Sequence, residues 1–202
     1  MSSDYQQCAQ ELVDAGRFMF DRGWVPAASG NFSARLPDGR LAVTVSRRHK
    51  GRLALDDIMI TDADGNPQNG HKPSAEILLH VHLYRRFPKI NAVLHPHTVN
   101  ATLLSRMVGE ALVLRDYELL KAFSGIDTHA DTIRVPILEN DQNIARLAER
   151  VDERLDKYAP VYGYMIAGHG FYTWGEGIED ALRHLEAFEF LFECEMRLRG
   201  VG

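Results

Sequence analysis

Two imidazoles, two residues apart at the end of an apolar run, are the first sign of chemistry in this chain: Ala92-Val93-Leu94-His95-Pro96-His97. Side chains on a strand alternate faces with period two, so a strand through this stretch turns His95 and His97 to one side, where both can reach one metal ion. A third histidine follows a second apolar run, Tyr162-Gly163-Tyr164-Met165-Ile166-Ala167, in Gly168-His169-Gly170, whose glycines leave room around the ring. Three neutral imidazoles with a fourth position open are the ligand set of catalytic zinc, whereas a structural site is closed by four protein ligands. Spacing alone is not enough. His80 and His82 share it inside a stretch with helical character, where i and i+2 face different ways.

Other residue types point to an anionic substrate. Ser29-Gly30-Asn31 closes a loop of small residues and can offer backbone N–H groups and a side-chain amide to an anion. The basic run Arg47-Arg48-His49-Lys50-Gly51-Arg52 adds cations, and Ser74 follows Lys72-Pro73 where a helix is expected to start. Singly, such features are an ordinary turn and a solvated charged face; jointly they suggest a phosphorylated substrate. Two carboxylates are available for proton transfer. Glu76 sits two residues after Ser74, where the helix dipole alone would explain a carboxylate. Glu118 follows Asp116-Tyr117 in a short predicted helix and reads equally as a solvent-facing residue. Nucleophilic schemes find no support, since there is no Gly-x-Ser-x-Gly and neither cysteine has a basic neighbour, and a zinc protease is disfavoured because no His-Glu-x-x-His occurs.

The elements that must position these groups alternate in type. A helix is expected from Asp4 to about Arg22, stopped by Gly23, then strands Asn31–Leu36 and Leu41–Ser46 joined by the turn Pro37-Asp38-Gly39-Arg40. A strand at Ile58–Thr61 and a turn at Asp64-Gly65 precede a helix that Ser74 caps and Pro88 ends. After the His-x-His strand, Thr98 or Asn100 caps a helix over Ala101–Met107. Then come a strand at Ala111–Leu114, a short helix near Tyr117–Phe123 and a strand at Ile133–Leu138. Asn140 or Asp141 caps a long helix to about Tyr158, the Gly-His-Gly strand follows, and a last helix spans Ile178–Leu198. An early hairpin with alternating strands and helices predicts an α/β fold, a mixed sheet covered by helices on both faces.

A chain of 202 residues suits one buried core, so a single domain over 1–202 is expected. Net charge of −5 with 25% charged residues gives no basic face for nucleic acid. No apolar run reaches bilayer length, and Met1-Ser2-Ser3-Asp4 lacks a signal peptide's basic and apolar regions, which predicts a cytoplasmic protein. Cys8 and Cys194 are expected as reduced thiols.

Taken in order, Ser29-Gly30-Asn31, Val43-Thr44-Val45-Ser46, Lys72-Pro73-Ser74-Ala75-Glu76, His95-Pro96-His97 and Gly168-His169-Gly170 resemble the class II aldolase/adducin family over nearly the whole chain. Within it, Arg48-His49-Lys50-Gly51-Arg52-Leu53 and Val135-Pro136-Ile137-Leu138-Glu139-Asn140-Asp141-Gln142 resemble a branch of sugar-phosphate dehydratases. The resemblance implies a three-layer α/β/α fold with a mixed, mostly antiparallel central sheet. It also implies one zinc per subunit on His95, His97 and His169, and a small phosphorylated sugar as substrate, with no nucleic-acid or membrane partner. A homotetramer with sites near subunit interfaces is implied too. Ser29, Gly30, Asn31, Ser46 and Ser74 fall on phosphate-loop positions, with Lys50 of the basic run a further candidate. Glu76 falls on the acid/base of the family's aldolases, and Glu118, in Tyr117-Glu118-Leu119-Leu120-Lys121, resembles the acid/base of the dehydratases and is expected to lead. Two positions depart from the pattern: Arg47 stands where a glycine often follows the phosphate-loop hydroxyl, and Ser74-Ala75-Glu76 where many members have Ser-Ser-Glu. A sugar-phosphate aldolase or epimerase would use the same metal. The adducin branch, structural and without catalysis, is expected to lack the metal ligands, and all three histidines are present here, so an enzyme is expected.

Overall fold

Apolar residues recurring at helical spacing start the chain. In the computed structural model, which describes residues 3–68 and 70–200, helix α1 (Ser3–Asp21) buries Leu12, Val13 and Met19. The other helices are α2 (Ile77–Arg86), α3 (Val99–Met107), α4 (Ile144–Tyr158) and α5 (Ile178–Leu198). The strands are β1 (Asn31–Arg35), β2 (Leu41–Thr44), β3 (Ile58–Thr61), β4 (Ala92–His95), β5 (Ala111–Arg115), β6 (Thr132–Leu138), β7 (Gly163–Ile166) and β8 (Gly170–Gly175). The described residues pack as two units: 3–68 and 70–96 with 174–181, and 97–173 with 182–200.

In the first unit the strands run in the order β3-β2-β1-β4, followed by the end of β8, where Asn91 N–H donates to the Gly175 carbonyl at 2.9 Å. Strand β1 pairs antiparallel with β2 and with β4, and β2 with β3. The period of two on β1 decides what each face meets. Phe32 lies against Gly16 of α1, while Asn31 and Ser33 turn the other way to hydrogen-bond His80 and Tyr84 of α2. Helices therefore cover opposite faces of β1, giving helix, sheet and helix in layers.

In the second unit the order is β8-β7-β6-β5. Strands β7 and β8 are antiparallel, as are β5 and β6, and β6 and β7 are parallel. Phe171 of β8 packs edge-on against Phe188 and Phe192 of α5; its neighbour Tyr172 faces the opposite way and stacks on Tyr164, 4.9 Å between centroids. The sheet is mixed and mostly antiparallel with flanking helices, as expected.

Local details differ from expectation where a side chain found a different partner. Ser74 does not cap α2: its Oγ accepts the Glu76 N–H at 3.3 Å, a two-residue turn that delays the helix to Ile77, so Glu76 stands just before the first turn. Helix α4 is capped by Asn143, which accepts the Arg146 N–H. Asp141 instead accepts the Asn143 N–H and pairs with Arg146, and Asn140 lies outside the cap. Strand β8 was not anticipated. The aromatic run Phe171-Tyr172-Thr173-Trp174 pairs back on β7, so Gly-His-Gly forms the turn of a hairpin, with His169 N–H donating to the Ile166 carbonyl. Among the described residues, no helix is long and apolar enough to cross a membrane, and both cysteines are free thiols.

Candidate metal centre

The antiparallel register places Asn31 opposite His95. Their approach depends on the residue before: Gly30 has φ +76°, and a Cβ there would lie 2.6 Å from the His95 carbonyl oxygen, so a larger residue is excluded on both counts. His95 is buried at the last position of β4. His97 lies beyond the strand, so strand alternation, the expected reason for its orientation, does not apply. A helix starts directly after it. Thr98 caps α3 by accepting the Ala101 N–H at 3.2 Å, and its own hydroxyl donates to Glu189 at 2.5 Å.

His169 occupies the β7–β8 turn, where Gly168 has φ +66°. Helix α3 fastens that turn: Gly168 N–H donates to Ser105 Oγ at 3.0 Å, and Thr102 Oγ donates to the His169 carbonyl at 3.2 Å. The rings of His97 and His169 meet edge-on at 4.4 Å. His95, His97 and His169 each offer one ligand atom, and the three atoms lie within 4.8 Å of one another. Three imidazoles with no fourth ligand in the group among the described residues fit a metal that keeps a position open for water or substrate.

Of the two carboxylates, Glu76 is the one beside a metal-ligand candidate, its Oε2 3.6 Å from His95 Nε2; Asn31 Nδ2 donates to the same oxygen at 2.7 Å. Glu118 opens a short 3₁₀ helix, Glu118–Ala122, with its side chain 73% exposed. There it pairs with Lys121 at 2.5 Å and more distantly with His129. The hydrogen bond from Lys121 holds its carboxyl below the ordinary carboxylate range.

Among the phosphate-loop candidates, Ser29 Oγ is buried without a hydrogen-bond partner among the described residues, an orphan hydroxyl next to Gly30. Ser46 N–H donates to the Lys72 carbonyl at 3.1 Å, which brings the segment after β2 against the one leading to Ser74. Arg47, the departure from glycine, has φ +62°, the left-handed conformation that glycine favours. Lys50 does not face outward. It is 1% exposed, and its ammonium donates to the carbonyls of Arg48 at 2.7 Å and Ala28 at 3.3 Å, so it holds the Ala28-Ser29 loop from below. Burial pulls its pKa down to about 8, opposed by the charge of Asp57. The Val135–Gln142 stretch contributes Ile137, Leu138 and Glu139 to a cavity of about 600 Å³ in the second unit that reaches Ala167.

Sequence reasoning missed His80, which lies buried against Asn31 and Ser33. The signal available was its i, i+4 spacing with Tyr84, which puts both on one face of α2.

Residues 10–196 match the family described as Class II Aldolase and Adducin N-terminal domain. The chain is 59% identical over 199 residues to methylthioribulose-1-phosphate dehydratase from Methylococcus capsulatus, covering 98% of each. It is 56% identical to the protein of the same name from Pseudomonas paraeruginosa over the full length of both. Among solved structures, L-fuculose-1-phosphate aldolase from Thermus thermophilus superposes with a TM-score of 0.77 at 25% identity, over 98% of this chain and 100% of that one. YgbL from Escherichia coli superposes at 0.83 with 27% identity, over 96% and 90%.

Proposed function

This chain belongs to the class II aldolase and adducin family, and from that premise we propose that it is a methylthioribulose-1-phosphate dehydratase, a hydro-lyase of methionine salvage. The reaction takes 5-methylthioribulose 1-phosphate to 5-methylthio-2,3-dioxopentyl phosphate and water. The observation that carries the reading is the gathering of three histidine ligand atoms within 4.8 Å, with the Glu76 carboxylate beside one of them, in a chain this similar to dehydratases of that name.

His95, His97 and His169 would hold one zinc ion, which when bound supplies Lewis-acid polarisation of substrate oxygens. The C2 carbonyl makes the C3 hydrogen acidic, and a carboxylate of the protein removes that proton. Loss of the C4 hydroxyl as water, after protonation by an acid, leaves an enol that tautomerises to the diketone. Ser29, Gly30, Asn31, Ser46 and Ser74 receive the phosphate, supported by the orphan Ser29 hydroxyl; Lys50 serves by tying down the loop. Glu118 is the main acid/base. Its exposure in a single chain suits a carboxylate delivered to the site of a neighbouring subunit in a homotetramer, while Glu76 serves the site of its own chain. The chain acts as one domain of this family, in the cytoplasm.

A sugar-phosphate aldolase is the second reading, favoured by Glu76 lying beside His95, and would break the C3–C4 bond. Incubating zinc-loaded protein with methylthioribulose 1-phosphate and, separately, with aldol substrates decides between them. The dehydratase reading expects diketone and no triose phosphate. Triose phosphate without diketone would replace it with the aldolase.

A further inference from the structure

A line of buried polar groups runs away from Glu76 through the first unit, and the reaction as written does not use it. Its direction can be worked out from what each atom is able to do. The Glu76 carboxylate accepts, so the nitrogen end of the Asn31 amide faces it, Nδ2 to Oε2 at 2.7 Å. The Asn31 oxygen is thereby aimed at His80 Nε2, 2.5 Å away. An amide oxygen only accepts, so Nε2 carries the imidazole proton, and in a neutral ring Nδ1 is then bare. Nδ1 accepts from Ser33 Oγ at 2.7 Å, and Ser33 Oγ, having donated its one proton, accepts from the Tyr84 hydroxyl at 2.9 Å.

Every donor in the line therefore points toward Glu76: Tyr84 to Ser33, Ser33 to His80, His80 to Asn31, Asn31 to the carboxylate. Such chains polarise one another and are lost as a unit. Reversing the Asn31 amide would set oxygen against oxygen at Glu76 and N–H against N–H at His80, so the position of one proton on His80 selects which end of Asn31 the site sees. We infer that His80 is a positioning residue, acting through Asn31 to orient the Glu76 carboxylate beside the metal ligands. The inference rests on the functional reading above only for the place of Glu76 and Asn31 in the site. Complete burial of His80 agrees with it, because burial pulls the ring's pKa down to about 3 and keeps it neutral.

The experiment has two arms. In the first, wild type, His80→Gln, His80→Asn and His80→Leu are loaded with zinc and assayed on methylthioribulose 1-phosphate, with kcat expressed per bound zinc and melting temperature recorded. Gln can place a donor where Nε2 was and Asn cannot. His80→Gln is expected to stay within a few-fold of wild type, and His80→Asn and His80→Leu to lose about 10- to 100-fold, the usual effect of removing a group that orients a ligand or base. In a Glu76→Gln background the loss should vanish, since residues acting as a unit are not additive. A purely structural role would lower melting temperature in all three without this pattern, and equal kcat in His80→Leu and wild type would overturn the inference. The second arm needs no substrate: nitrogen-15 NMR of the His80 ring is expected to show the Nε2-protonated neutral form alone from about pH 5 to 9, across the range where an ordinary histidine titrates. An Nδ1-protonated ring would overturn the relay. If wild type makes no diketone, the functional reading fails, and the NMR arm still decides the relay.

Discussion

Lys50→Met tests whether a buried ammonium fastens the loop proposed to receive the phosphate. Lys50 is 1% exposed, and burial lowers its pKa from 10.5 to about 8. The unfolded chain keeps this proton up to its ordinary value, while the folded chain releases it near 8. Between those values the unfolded state binds more protons, so stability rises with pH. Each pH unit between the two values corresponds to about 1.4 kcal/mol. The group therefore contributes a rise of about 3 kcal/mol across the window, present in full above pH 10.5 and absent below about 8. Lys50→Met lacks that slope. Urea unfolding of both proteins at several values from about pH 7.5 to 10, read as the difference between them, cancels the tyrosines and cysteines that titrate in each. Wild type should gain on the variant by about 2 kcal/mol or more over this range, the larger part of the full rise. A difference that stays flat within about 0.5 kcal/mol would refute the burial argument. Because the ammonium also holds the Ala28 and Arg48 carbonyls, the variant should raise KM more than it lowers kcat, as expected when a contact equal in ground and transition states is loosened.

Three further outcomes are expected. His169→Ala should fold but lose most of its bound zinc, and metal analysis finding one zinc per chain retained would sink the three-histidine assignment. Glu118→Gln should keep zinc yet lose about 10²- to 10⁴-fold in kcat, with Glu76→Gln losing less. Full exchange of the C3 hydrogen in deuterated water by Glu118→Gln, with none by Glu76→Gln, would exchange their roles. Glu189, buried, has its carboxyl pushed up to about 7, chiefly by burial and against donations from Thr98 and Asn100. The folded chain therefore holds a proton that the unfolded chain has lost, and stability falls as pH rises from about 4.5 to 7. Glu189→Gln should accordingly gain on wild type by about 2–3 kcal/mol between about pH 5 and 7.5 in urea unfolding, and an unchanged difference would count against the raised carboxyl.

What the sequence made legible was whatever local periodicity and turn chemistry determine. The α1 helix, the β1–β2 hairpin, β3 and the α5 helix fall within a residue or two of expectation, because each is set by its own pattern of apolar and turn residues. Less legible was anything settled by a partner distant in sequence. His97 lies beyond the end of its strand, directly before a helix cap tied to Glu189, 91 positions beyond Thr98, so strand alternation does not reach it. Ser74 looked like a cap and instead bonds two residues ahead. His80 looked like half of a chance His-x-His, and its meaning lies in Asn31, 49 positions away. Arg47 looked like a departure from the family pattern, yet the backbone keeps the left-handed conformation of the usual glycine, at a cost of about 1–2 kcal/mol for a residue with a Cβ.

The two glutamates show why residue type and position do not by themselves assign a role. A carboxylate held by a hydrogen bond inside a buried line of donors is preorganised: Glu76 has one such bond at 2.7 Å, and charge-assisted bonds of this kind contribute about 1.5–3 kcal/mol. Glu118 is held in its own chain by Lys121 on an exposed surface, where solvent screens the pair. The screened pair therefore constrains its carboxylate less than the buried bond does. Glu76 is thus the better held of the two within a single chain. The acid/base role proposed for Glu118 therefore calls for contacts beyond its own chain to fix the carboxylate, which the proposed homotetramer would supply.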